Sequence, residues 1–164
     1  MKSFRQNPIG YTAERVLTSK PVAQTLGIQE VEHVRVEIEE IEVDMPLYHV
    51  SDDSGLISDA LSTIQKAGFS ANPVGVFLKE QYIDEPGYIE HESYHYWEQE
   101  EEGLDWYVGY AEEYVEGCIA YLDSYDAYKY HEDEQEANIY AGWQDDYIDP
   151  DPWWEDYYFW EEWW

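Results

Sequence analysis

The period of the apolar positions changes several times along the chain, and each change predicts an element. Residues 1–12 carry no period and read as an extended arm ending near Gly10-Tyr11. Thr12 can cap a short helix from Ala13 to Leu26, interrupted at Pro21 and closed by Gly27. His33-Val-Arg-Val-Glu-Ile38 then alternates apolar with polar residues, as does Ile41-Glu-Val-Asp-Met45, the period of a half-buried strand. The phase slips at Glu39-Glu40, which leaves two solutions: one strand with a bulge, or two strands in a tight hairpin. Ser51-Asp-Asp-Ser54 is a start signal for a helix from Gly55 to Lys66, with Leu56, Ile57, Ala60, Leu61 and Ile64 on a core face and Gly68 closing it. Asn72-Pro-Val-Gly leads into a strand from Val76 to Ile83.

From Asp84-Glu-Pro-Gly onward the pattern is helical. A helix from Tyr88 to Glu101, closing at Gly103, has Ile89, Tyr96 and Trp97 as its packing residues. Leu104 to Leu122 forms the next, with Trp106/Tyr107, Tyr110 and Tyr114 at a spacing typical of core packing. Asp123 to Lys129 connects it to a helix that carries Glu134 and fades near Gly142. The class is α+β: a short mixed or antiparallel sheet packed on helices, over residues 1–144. Residues 145–164 form an acidic, Trp- and Tyr-rich tail, broken from the rest by Asp149-Pro-Asp-Pro152.

The polar face of the Tyr88 helix carries the chemistry. His91-Glu92-Ser93-Tyr94-His95 reads H-E-x-x-H. Residues at i and i+4 share a helix face, so the two imidazoles can bind one Zn²⁺. Glu92 points towards the open position, where it can accept a proton from water as general base. Farther on lies Glu134-Gln-Glu136-Ala137, an E-x-x-A setting.

With those residues the chain resembles the gluzincin group of zinc metallopeptidases. Of the two likenesses the closer is to short bacterial and phage peptidase-like proteins with a strand, H-E-x-x-H-x-x-x-Q, an aromatic helix and E-x-E-A. Val76-Phe-Leu-Lys79, His91 to His95, Gln99, the Trp106–Tyr114 aromatics and Glu134 to Ala137 carry the likeness, over roughly residues 73–143. The resemblance implies a zincin-like domain with His91, His95 and Glu134 as ligands and Glu92 as base. It implies Ala137 as the small residue that lets the second helix approach the first. It also implies that the strand before the motif helix borders the cleft and holds an extended substrate by strand addition. Ser93 departs from the pattern, since such families carry an apolar residue there. Glu90, Glu132, Asp133 and Glu136 are rival carboxylates for Glu134. Tyr140 and Tyr130 are the candidate donors to a developing oxyanion.

Composition narrows the partners. The formal charge is −30, with aromatic residues at 18%, so the chain is not a purely disordered acidic polymer. Residues 1–80 hold 12 acids against 7 bases; residues 81–164 hold 26 acids against Lys129 alone. The acidity therefore belongs to the half with the candidate site and favours a basic peptide or protein substrate. It disfavours direct binding of nucleic acid. No apolar run is long enough to span a membrane. The N-terminus has no apolar core of signal-peptide length, and Cys118 alone fits a reducing compartment. The expected location is thus cytoplasmic, or virion-associated if the chain is phage-encoded. His33 and His49 read as surface residues. A tail with five of the eight Trp residues suits a protein partner. The alternative function is a non-enzymatic acidic protein, a nucleic-acid mimic and inhibitor or a virion structural component. It would use the negative surface to bind a basic partner. That reading accounts for the charge but not for the motif.

Overall fold

The computed structural model describes residues 7–121, 124–145 and 147. Among these, eight helices accompany one four-stranded sheet, a mixed α and β architecture. The arm expected over residues 1–12 gives way to helix α1 (Pro8–Leu17). The Asn7 side chain accepts from the Ile9 and Gly10 amides, and Pro8 stands where a helix does not need its N–H. Helix α2 (Lys20–Leu26) follows, closed by Gly27 at φ 85°.

Strands β1 (Ile28–Ile38) and β2 (Ile41–Val50) form an antiparallel hairpin in which Ile38 pairs with Ile41. The phase slip is thus a two-residue turn. Glu39 and Glu40 both take positive φ, 49° and 67°, as the primed turns that match strand twist require. Both strands outrun their predicted lengths. Helix α3 (Leu56–Thr63) buries Leu61 and Ser58, but Leu56 and Ile64, expected in the core, are each 61% exposed. Strand β3 (Gly68–Ala71) was not foreseen, and Gly68 opens it instead of closing a helix.

Strand β4 (Gly75–Lys79) is shorter than expected, and the chain turns directly into α4 (Glu80–Ile83). The sheet order is β1-β2-β4-β3, with β4 parallel to β2 and antiparallel to β3. This corrects one implication of the resemblance: β4 has neighbours on both sides, so no substrate strand can add to it. Among the described residues, the unpaired edge on that side belongs to β3. On the other, β1 is an edge strand studded with exposed Glu30, Glu32, Arg35 and Glu37.

Alternation sends the two faces of the sheet to different partners. Val43, Met45, Leu47, Val76 and Leu78 face helix α5 (Tyr88–Glu102), which adds Tyr96 to the buried cluster. Tyr48, Val50 and Phe77 face α2 and α3 through Ala23, Leu26 and Ile57. On that face Tyr48, Phe77 and Phe69 stack across three strands, at 4.6 and 4.7 Å between centroids. Such pairs contribute about 0.5–1.5 kcal/mol each beyond area burial.

Helices α6 (Leu104–Tyr121), α7 (Ser124–Lys129) and α8 (Glu132–Tyr140) complete the fold. Of the α6 aromatics expected in the core, Trp106 is buried and Tyr107 is 39% exposed. Leu104, Val108, Val115 and Ile119 of α6 are exposed as well. Among the described residues, no helix is long and apolar enough to cross a membrane. The tail segment from Pro150 to Trp164 lies outside the described residues.

Candidate metal centre

Helix α5 is two-sided. Ile89 and Tyr96 pack on the sheet, while His91, Glu92 and His95 turn towards α6 and α8. Ser93, where the resembled peptidases carry an apolar residue, is fully buried, and its hydroxyl donates to the Ile89 carbonyl at 2.5 Å. Satisfied within its own helix, it packs as a small apolar residue would. Gln99 ties the helix to the β3–β4 turn. Its Oε1 accepts from the Asn72 amide at 2.8 Å, and its Nε2 donates to Ser70 Oγ at 3.1 Å.

His91 and His95 are each 5% exposed, with ring centroids 4.8 Å apart and planes at 88°. Glu134, in the first turn of α8, places its carboxylate between them. Its Oε2 lies 3.4 Å from His91 Nε2, and its Oε1 lies 3.7 Å from His95 Nε2. One ligand atom from each residue lies within 4.8 Å of the other two. Ala137 is fully buried where α8 meets α5. The rival Glu136 faces elsewhere, accepting hydrogen bonds from Tyr94 and Tyr147.

His95 Nε2 and Glu134 Oε2, which belong to the facing groups, are buried without a hydrogen-bond partner. Each such atom costs roughly 1–3 kcal/mol, and a cation among them would remove much of that penalty. The local charges are arranged to receive one. Burial by itself would lower the His95 pKa, but the Glu134 carboxylate facing Nε2 and the hydrogen bond to Glu98 lift it to about 10. Burial by itself would raise Glu134, but the facing imidazoles of His91 and His95 hold it well below the usual carboxylate range. In the bare cluster, then, a proton on His95 supplies the positive charge.

Glu98 was not foreseen. It is 8% exposed, and its Oε2 lies 3.1 Å from His95 Nδ1. A proton held between them leaves Nε2 to face Glu134, the arrangement by which carboxylates orient metal-binding histidines. Its place three residues after His95, on the same helix face, was a readable signal. Tyr110 is a second unforeseen partner: its hydroxyl donates to Glu134 Oε1 at 2.6 Å.

Glu92 is buried beside His91, and desolvation raises its pKa despite the opposing pull of both histidines. Both residues line a cleft of about 800 Å³, together with Lys66, Gly68, Tyr110 and Trp143. Lys66 is the only Lys or Arg among the described lining residues. Burial lowers it to about 8, against the charges of Glu134 and Glu92. Trp143 stacks on His91 at 5.1 Å and donates to the Pro86 carbonyl at 3.1 Å. Gly87, at φ 94°, admits it, because a Cβ there would collide with the indole nitrogen.

Neither expected oxyanion donor lines this cleft. Tyr140 donates to the Glu37 carbonyl at 2.8 Å, and the Tyr130 hydroxyl lies 3.3 Å from Lys129 Nζ. His33 and His49 pair with Glu14 and Glu32 at 3.1 and 2.9 Å, on the far strands. Comparison of the chain with protein-family models, with curated proteins and with solved structures gives no match.

Proposed function

We propose that this chain is a zincin-like hydrolase that cleaves peptide bonds, with His91, His95 and Glu134 holding Zn²⁺ and Glu92 as general base. The observation that carries the reading is the convergence of two imidazoles and one carboxylate, with buried atoms left unpartnered, beside Glu92 in an open cleft. Two nitrogens and one carboxylate with a position left open are the donor set of catalytic zinc. The separations of 3.4 and 3.7 Å are close to the roughly 3.4 Å between tetrahedral ligands at zinc bond lengths. When bound, zinc would supply a Lewis acid that acidifies water and polarises a carbonyl.

The chain's own groups do the rest. Glu92, its pKa raised by burial, accepts a proton from the attacking water and passes it to the departing amine as the C–N bond breaks. Lys66 offers a positive charge in the cleft to the carbonyl oxygen as it becomes negative. It takes the role that the sequence suggested for Tyr140 and Tyr130.

Substrate can lie along the free edge of β3. Lys79 donates to the Ala67 carbonyl, so Ala67 and Phe69 bond inward while Gly68 turns its main-chain groups to the edge. The acidic surroundings favour a basic peptide. The test is hydrolysis of a basic peptide library by protein reloaded with one equivalent of zinc. Glu92→Gln should keep the metal and the thermal transition while losing about 10²–10⁴ in rate. Failure of stripped protein to take up zinc at this triad, or hydrolysis by Glu92→Gln at the parental rate, would remove the reading.

A further inference from the structure

A second histidine sits at the start of α8 with an unusual balance of partners. His131 occupies the N-cap position and is 1% exposed, its ring stacked on Tyr110 at 4.0 Å. Its Nε2 lies 3.0 Å from the Tyr110 main-chain carbonyl. A carbonyl can only accept, so Nε2 carries the proton. That fixes the tautomer and leaves a lone pair on Nδ1. This nitrogen is buried and has no hydrogen-bond partner.

What Nδ1 faces is negative. Glu113 Oε2 lies 3.6 Å away, too far for a hydrogen bond. The Asp133 carboxylate completes a group whose three ligand atoms all lie within 4.8 Å of one another. A lone pair aimed at two carboxylates is repulsive unless a cation stands between them. The 3.6 Å separation suits two ligands of one ion, and it resembles the 3.4 and 3.7 Å of the first cluster. Glu113 is held ready: its other oxygen accepts from the Glu132 amide at 2.7 Å, in the first turn of α8.

We propose that Glu113, His131 and Asp133 form a second divalent-metal site, distinct from the triad of His91, His95 and Glu134. One imidazole nitrogen and two carboxylates select a first-row transition ion such as Zn²⁺ or Mn²⁺ over Ca²⁺. Water completes its coordination on the open side. The ion clamps α6, which carries Glu113, to the N-terminus of α8, where Asp133 adjoins Glu134. Its role is to fix the helix that supplies the third ligand of the first site.

The experiment is zinc stoichiometry on the chelator-stripped full chain, by calorimetric titration and metal analysis. The wild type should take two equivalents. Paired His91→Ala and His95→Ala should leave one, and paired Glu113→Gln and Asp133→Asn should also leave one. A wild type that takes one equivalent and keeps it when Glu113 and Asp133 are changed overturns the second site. An equivalent lost only on changing Glu113 and Asp133 supports it while removing the first. Should a variant fail to fold, ¹⁵N spectra of the wild-type histidines decide alone. Movement of the His131 Nδ1 resonance within two zinc equivalents supports the site, and an unmoved resonance overturns it.

Discussion

The two histidine–carboxylate clusters share a ligand grammar and differ in enclosure. In both, a hydrogen bond fixes one imidazole nitrogen and leaves the other aimed at carboxylate oxygens: Glu98 does this for His95, and the Tyr110 carbonyl for His131. Tyr110 touches both, through its hydroxyl to Glu134 and its main chain to His131. Around the first cluster every ligand is at most 5% exposed. In the second only the imidazole is hidden, and the Glu113 side chain is 41% exposed. Desolvation strengthens each charge interaction it encloses and penalises each charge left unpaired. The enclosed cluster should therefore bind its ion tightly, and the open one should exchange it readily.

The largest effect that would break this comparison is removal of a first-cluster ligand. His95→Ala should abolish tight zinc uptake while the weaker site persists, as equilibrium dialysis at two zinc concentrations would reveal. Loss of both would mean that the clusters form one unit.

Next in size is pH. In the metal-free protein His95 titrates near 10, above its ordinary 6.5. Its stabilisation is complete below about pH 6.5 and is lost as pH rises through about 10. Stripped protein should melt at lower temperature across that range. Zinc must displace the same proton, so its affinity should climb by up to about tenfold per pH unit. Scanning calorimetry of stripped and loaded samples checks both. A stripped protein that gains stability from pH 7 to 9 would contradict a protonated His95.

Glu98→Gln sharpens the contrast between clusters. It keeps the shape but weakens the orientation of His95, so zinc affinity at the first site should fall by about 10–100-fold and the second should not change. Equal losses at both sites would point to damage to the fold. The smallest effect is expected from Tyr110→Phe, which deletes the hydroxyl bond to Glu134 and leaves the main-chain bond to His131. A loss of about 0.5–1.5 kcal/mol, confined to first-site zinc binding measured by competition with a chelator, would fit one ordinary hydrogen bond, since a bound ion would share the charge of Glu134.

The motif helix was legible because its information is local. Spacing of i and i+4 places His91 and His95, and Gly103 ends the helix where the pattern stops. The hairpin was legible to within two alternatives, and positive φ at Glu39 and Glu40 decided between them. What local pattern misled was burial. Leu56 and Ile64 repeat at helical spacing yet face water, because only one stripe of α3 meets the sheet. Strand β3 was hidden since Gly68-Phe-Ser-Ala71 is too short to show a period; its pairing with β4 makes it a strand. Lys66, Tyr110 and Trp143 reach the cleft from different elements, and no spacing along the chain encodes that meeting. Tyr140 lies away from the cleft lining for the same reason, since its hydroxyl donates to the Glu37 main-chain carbonyl across the fold.

Strand β1, described above as an outer strand of the sheet, bears on how this chain avoids joining its own copies. Among the described residues no strand pairs with the outer side of its eleven residues, a length that could recruit another chain strand to strand and seed fibrous assemblies. Glu30, Glu32 and Glu37 stand exposed along it, and Arg35 is engaged by Glu42 at 3.3 Å. Two copies brought edge to edge would set rows of like charge against each other, a standard guard against lateral growth. The guard depends on ionised carboxylates and on low salt screening. Acidic or strongly saline solution should therefore be where this protein first aggregates, well before its core loosens.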